Sequence, residues 1–419
     1  MALVSSLGVA AAVATQAAVA SPPGDAWPAW RGPNGNGVAN GPEAPVHWNE
    51  STNIIWKVPV PGRGHGSPTV IGQRIFLPTA EDKSQVQSVL AFDRATGQML
   101  WHKQINQGGF PDQIHAHNTH ATPTIAADAE RLFVVFHHRN SIHVTALDHN
   151  GNPIWQKTAG PYRPTRYRFG YAPSPLLYQD LVIVSAEADA DAYLVALDTA
   201  DGNERWRIKR KPNVTFSSPI VGHVAGRDQL LISGGDQVAS YEPASGAPLW
   251  SAPATTLATC GTVVWDGELI FASGGYPKGE TAGIRADGSG TVAWRNPTKC
   301  YEQSILAHDG YVYAVNDGGI ALCWRARDGK QMWKSRLPGG AVSASPVLLG
   351  NRIYLSNENA TTFVFSTNPK SFELLGTNQL GTDAFATPSI CGGRIYLRVG
   401  HGKGAIREEM LYCVGAPGQ

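Results

Sequence analysis

Ala91-Phe92-Asp93-Arg94-Ala95-Thr96-Gly97-Gln98-Met99-Leu100-Trp101 is the stretch that decides the fold. It reads as one strand, a tight turn and the start of the next strand, because Thr-Gly supplies the positive φ of a short hairpin. The pattern returns from Ala196-Leu197-Asp198 through Gly202 to Trp206, and from Ala146-Leu147-Asp148 through Gly151 to Trp155. A looser copy runs from Tyr241-Glu242 through Gly246 to Trp250. Further copies end at Trp294 and Trp333, each four residues after a glycine, Gly290 and Gly329.

Upstream of most of these tryptophans stands a Ser/Thr-Pro pair: Ser67-Pro68, Thr122-Pro123, Ser174-Pro175, Ser218-Pro219, Ser345-Pro346 and Thr387-Pro388. Thr262 and Ser304 hold the same place without proline. The eight starts (67, 122, 174, 218, 262, 304, 345, 387) are spaced by roughly 46 residues, the size of a propeller blade. Each unit reads as four short strands, and helical periodicity is absent. The expectation is an all-β, single eight-bladed β-propeller of four-stranded antiparallel blades. Trp56, Trp101, Trp155, Trp206, Trp250, Trp294 and Trp333 would lie on outer strands and bury their faces against the next blade. In the seventh unit Phe372 to Leu375 replaces the tryptophan. The eighth runs out after three strands, and its fourth is expected from residues 53–58, which removes an exposed edge. Seven blades is the alternative, if the unit from Thr262 to Trp294 packs irregularly.

The chain divides accordingly. Residues 1–20 are uncharged, rich in Ala and Val, and end in Ala18-Val19-Ala20, which reads as a secretory signal peptide. Residues 21–50 are expected to be an extended segment packing on the propeller, and residues 51–419 the propeller itself. A periplasmic or secreted monomer follows, with no transmembrane segment in the mature chain. The net charge of +1 gives no attraction to nucleic acid. The five scattered cysteines show no metal-type spacing and read as buried thiols.

The Ala-x-Asp-x-x-x-Gly-x-x-x-Trp repeat resembles the tryptophan-docking motif of pyrroloquinoline-quinone (PQQ) dehydrogenases. It equally resembles that of related non-catalytic propellers typified by the outer-membrane assembly factor BamB. Trp27-Pro28-Ala29-Trp30-Arg31-Gly32-Pro33, with Asn53-Ile54-Ile55-Trp56-Lys57, is similar to the bacterial PQQ-like branch. The resemblance covers nearly everything after residue 25 and is specific for fold, much less for function. It implies a BamB-like binding or assembly module. The dehydrogenase branch uses a vicinal Cys-Cys disulfide and a Glu/Asn/Asp set for Ca²⁺; this chain has no Cys-Cys, so PQQ is not the expected cofactor.

One face should carry function. Turns between first and second strands, and between third and fourth, are uniformly tight. The loops between blades and between second and third strands are longer, above all from Trp101 to Thr122 and from Trp155 to Ser174. Elaborated loops on one face mark the ligand or partner side. Histidines gather there: His65 and His120, each two residues before a blade start, with His115, His117, His137, His138 and, from blade 8, His401. Arg166, Arg168 and Tyr171 come from the next inter-blade loop, and Glu302 faces them across the ring. His115, His117 and His120 are candidate ligands for a divalent metal, zinc or manganese. His65, His120, Tyr171, Arg168 and Glu302 are candidate proton-transfer or charge-stabilising groups. Glu187-Ala-Asp189-Ala-Asp191 lacks the Gly and closing Glu of a Ca²⁺ loop and reads as solvated acid. His149, in an opposite-face turn, is expected to be inert. Two functions follow from these readings: a module that binds a protein or a carbohydrate on this face, or a histidine-based, lyase-like enzyme acting on glycosides or uronates.

Overall fold

A computed structural model describes residues 24–416; the leader expected at 1–20 lies outside them. Eight antiparallel sheets follow one another in chain order, each with four strands of the ring. Blade 1 is built from Thr69–Ile71, Arg74–Glu81, Val86–Asp93 and Met99–Gln107, and later blades repeat this order. The unit ending at Trp294 is a regular four-stranded blade. The ring therefore has eight blades, not seven. No helix among the described residues is long and apolar enough to cross a membrane.

Closure takes the expected form. Ile54–Val60 pairs antiparallel with Glu408–Val414, from Ile54 opposite Val414 to Val60 opposite Glu409. Blade 8 thus takes three strands from the C-terminal end and its outermost from the N-terminal end.

The repeat itself is explained by how blades dock. In six blades the indole N–H of the docking tryptophan donates to a carbonyl in the third turn of the next blade. The pairs are Trp56 with Arg94, Trp101 with His149, Trp155 with Thr199, Trp206 with Pro243, Trp294 with Ala326 and Trp333 with Asn368, at 2.7–3.1 Å. In the first four of these pairs the acceptor directly follows the Asp or Glu of the motif. Trp250 reaches the same place through a relay: it donates to Gln229, whose amide donates to the Ala286 carbonyl. The motif glycine lies over the incoming ring. A Cβ at Gly97 would stand 2.6 Å from the Trp56 ring, and one at Gly202 would stand 2.7 Å from that of Trp155. Both glycines also have φ above 70°. Gly202→Ala therefore combines backbone strain with overpacking, and should cost about 2–4 kcal/mol in denaturant unfolding. Blade 7 departs from the pattern. Leu375 packs into the core it shares with blade 8, while Phe372 turns back onto Trp333 of blade 6, 5.4 Å between centroids.

Residues 24–40 enter the ring and floor its channel. Trp27 exchanges backbone hydrogen bonds with Val70 of blade 1, and the Pro28 carbonyl accepts from Ala127 of blade 2. Trp30 donates its indole N–H to Thr262 of blade 5. Arg31, fully buried, donates to the carbonyls of Asn36, Ile305 and Pro346. Val38–Ala39 then adds a parallel strand to the inner edge of blade 7. Every inner strand otherwise leaves one edge of peptide groups facing the channel, so chain inserted there satisfies several of them. Residues 44–50 leave along the outside of blades 7 and 8, with Ala44 and Trp48 buried.

Candidate functional site

Hydroxyls set the register of the channel mouth. The backbone N–H at the start of one blade donates to the Ser or Thr hydroxyl of the next: Ser67 to Thr124, Thr124 to Ser174, Ser174 to Ser218, Thr262 to Ser304, Ser304 to Ser345 and Ser345 to Thr387, at 2.8–3.0 Å. Thr124 holds this position in blade 2, so the expected start at 122 is corrected by two residues. The inner strand of that blade, Ala126–Ala127, is displaced equally.

The residue two before each of these hydroxyls borders the mouth. They are His65, Thr122, Ala172, Phe216, Cys260, Glu302, Ser343 and Phe385, and all line one cavity of about 250 Å³ above the floor. Trp30 reaches it from below; His115, His117, Asn118, Phe169 and Tyr301 border it from the loops. A second cavity of about 550 Å³ lies on the other side of the floor beside blades 3 to 5, and Trp30 and Ser174 touch both.

The histidines separate into two groups. His65, His115 and His117 stand at the mouth. His65 stacks on Phe385 at 4.7 Å, His117 lies 5.8 Å from the same ring, and His115 is edge-on to both His117 and Phe169. Burial, reinforced by Arg63, Arg398 and Arg407, pushes the His65 pKa well below its usual value and keeps the ring neutral. Its Nε2 is buried without a partner.

The others lie elsewhere. His120 does not border the channel: with the register two residues later, its ring stacks on Phe110 at 4.0 Å. His137 and His138 are not in a loop but end the strand Arg131–His138, both buried. His137 packs edge-on to Tyr162, and His138 lies against His143. His401 meets the Tyr412 hydroxyl at 2.9 Å, which in turn donates to Glu50 on the outside of blade 8. Among the described residues, no three His, Cys, Asp or Glu side chains come together in a way that could hold a metal.

The remaining candidates divide as well. Tyr171 is buried between blades 2 and 3 and donates to the Ser185 carbonyl, so it is a packing residue rather than a group at the mouth. Arg166 and Arg168 are exposed on the same loop but outside the cavity lining. Glu302 is exposed at the mouth, opposite Thr122 of blade 2 in the ring. The acidic run is solvated only in part, since Glu187 is buried while Asp189 and Asp191 are half-exposed. Glu187 is buried in an ion pair with Arg210, Asp189 accepts from the N–H groups of Thr165 and Arg166, and Asp191 pairs with Arg163. The bonds of Asp189 and Asp191 tie down the loop that carries Tyr167 and Phe169. His149, on the opposite face, makes packing contacts: its ring lies 5.4 Å from Phe76 and its Nε2 is 3.1 Å from the Asp128 carbonyl.

Sequence reading missed the aromatic side of this face. Ring contacts run without a break from Tyr276 through Tyr167, Phe169, His115, His117 and Phe385 to His65, with Phe216 joined at Phe169. Phe169 and Tyr276 are 38% and 44% exposed, too much for core residues. The signal was available: applying the two-before-the-hydroxyl rule to every blade picks out Phe216, Cys260 and Phe385.

Burial of His137 has a consequence for stability. Its pKa is pushed down to about 4, first by desolvation. The unfolded chain therefore binds the proton more readily than the native ring. This residue's contribution is complete above pH 6.5 and is lost as pH falls toward 4, by about 3 kcal/mol in all. Denaturant titrations at pH 7 and pH 4 should show this loss in the wild type and a smaller one in His137→Phe.

The family model described as "Outer membrane protein assembly factor BamB" matches residues 37–170, 87–335 and 278–405. The outer membrane protein assembly factor BamB of Legionella pneumophila (strain Paris) is 24% identical over 114 residues, 27% of this chain and 29% of that protein. The chain thus spans less than a third of that curated relative's length. The crystal structure of BamB from Moraxella catarrhalis superposes with a TM-score of 0.62 at 14% identity, over 87% of this chain and 98% of that one. A europium-containing methanol dehydrogenase gives 0.67 at 12% identity, over 93% and 98%. The quinohemoprotein alcohol dehydrogenase of Comamonas testosteroni gives 0.65 at 11%, over 95% and 82%. At such identities these structures speak to the fold alone. As to the dehydrogenases' cofactor, all five cysteines here are free thiols, and Cys260 is the one at the mouth. Residues 24–40 also fill the channel below. The residues present do not form the vicinal disulfide that the resemblance associates with PQQ.

Proposed function

The chain belongs to the BamB-like family of PQQ-repeat propellers, and on that premise we propose that it is a binding or assembly module. It is exported to the periplasm or beyond, and receives a partner protein on its loop-elaborated face. The observation that carries this reading is the aromatic arc from Tyr276 to His65. Exposed rings joined edge to edge over a cavity mouth are what a recognition surface needs and what a bare propeller does not. The loop that carries Tyr167 and Phe169 is tied by Asp189 and Asp191 and by the buried Tyr162 hydroxyl, which donates to the Gly170 carbonyl, so the surface is held in shape before a partner arrives. The histidine-based enzyme is the weaker reading, because only three of the seven candidate imidazoles stand at the mouth and Tyr171 is committed to the core.

Site-specific photo-crosslinking in the source bacterium tests the proposal. A benzophenone side chain at Tyr167 or Tyr276 should yield a discrete protein adduct, and one at Asn150 or Asp201 on the opposite face should not. Adducts confined to the opposite face would overturn it. Specific retention of an oligosaccharide by the same face, without any protein adduct, would replace the protein partner with a carbohydrate.

A further inference from the structure

We propose that the cavity at the mouth is a binding site for an organic cation, a quaternary ammonium or guanidinium group; the inference rests on the binding reading above. Among the described residues, Glu302 is the one carboxylate that lines the cavity, and no Lys or Arg lines it. Around it stand the rings of Trp30, Phe169, Phe216, Tyr301 and Phe385. Aromatic faces with a nearby carboxylate attract a weakly hydrated cation, since ring quadrupole and charge act in the same sense. An anion would meet the carboxylate, and a strongly hydrated metal ion would find too few ligands.

The surroundings agree. Near Glu302, burial first and then the negative charges of Glu302 and Asp317 hold the Cys260 and Tyr301 protons in place. Lys299, the basic residue on that side, is paired with Asp317 at 3.1 Å and stands 5.3 Å from the Tyr301 ring centre, which leaves Trp30, Phe169, Phe216 and Phe385 as the rings without a cation of the chain's own. Across the cavity the positive charges lie behind His65. Of the three there, Arg63, Arg398 and Arg407, two are held in ion pairs: Arg398 with Glu409 at 2.5 Å, and Arg407 with Asp383 and Glu409 at 2.6 and 3.1 Å. His65 borders the cavity as a buried, neutral ring, which does not repel a cation. A cavity of about 250 Å³ takes a head group or one side chain.

Calorimetric or NMR titration of the purified chain at pH 8 tests this, with four probes: choline, its neutral isostere 3,3-dimethylbutan-1-ol, Nα-acetyl-arginine amide and acetate. At least one cation should bind about 10-fold or more tightly than the isostere, and acetate not at all. Saturation by choline alone identifies a free quaternary ammonium, and by the arginine amide alone a partner's basic side chain. Glu302→Gln and Phe385→Leu should each weaken the cation about 10-fold with unchanged melting, the leucine keeping bulk but not the ring. Equal binding of the isostere, no binding of either cation, or an unaffected Glu302→Gln would overturn the assignment. Should the cations fail while upper-face crosslinks form, only the ligand class is lost. Should the cations bind while crosslinks map to the other face, the partner site is lost and the cation site stands.

Discussion

Removing residues 53–60 should abolish the folded monomer. This strand is the outermost of blade 8 and runs on in sequence into blade 1, so it clasps the last blade to the first. Without it, Glu408–Val414 becomes an open edge and an invitation to intermolecular pairing. The deletion also removes Trp56, whose indole N–H docks blade 8 on the Arg94 carbonyl of blade 1 beneath Gly97. The combined loss should exceed about 5 kcal/mol, comparable to the whole stability of an ordinary domain. Size-exclusion chromatography should find aggregate in place of monomer, and a synthetic peptide of residues 49–62 added during refolding should restore part of the monomer peak. A soluble deletion variant with unchanged melting would show that the ring does not depend on this strand.

The second large effect is expected at Trp206. Its ring is packed among Ile183, Leu194, Leu230 and Ile232, and its N–H is held by the Pro243 carbonyl at 3.1 Å. Trp206→Ala empties a large site between blades 3 and 4 and leaves that carbonyl unpaired, which should cost about 3–5 kcal/mol. His149→Ala is the useful comparison. Its half-buried ring and single hydrogen bond predict about 1 kcal/mol, more than a solvated turn residue would show. Equal losses at the two positions in urea unfolding would mean that the indole docking is not what couples neighbouring blades.

The fold was legible because its code is local. Asp, Gly and Trp at fixed offsets carry one turn, one close approach and one hydrogen bond, and each can be read within eleven residues. The channel floor was not legible, since Trp27 and Arg31 find their partners on backbone atoms of Val70, Ile305 and Pro346. No periodicity records a bond to a carbonyl some three hundred residues away. The site was half legible. Position relative to the blade hydroxyls correctly placed His65 and Glu302 at the mouth. In blade 2 the hydroxyl that counts is Thr124 rather than Thr122, so the same rule misplaced His120. Choosing by residue type misled further: His137 and His138 satisfy packing, while Phe169, Phe216 and Phe385 shape the mouth.

The central claim is that this propeller binds through the aromatic mouth of its elaborated face. The most direct measurement is the affinity of the partner captured by the upper-face crosslinks, determined by biolayer interferometry for three forms of the chain. Wild type is compared with Phe169→Ala/Phe385→Ala at the mouth and with Asp201→Ala/Arg205→Ala on the opposite face. The account predicts at least about a 10-fold loss for the mouth variant, as for removing two central aromatic anchors, and no change beyond about twofold for the other. Full affinity in the mouth variant, with the loss falling on the opposite-face variant, would contradict it.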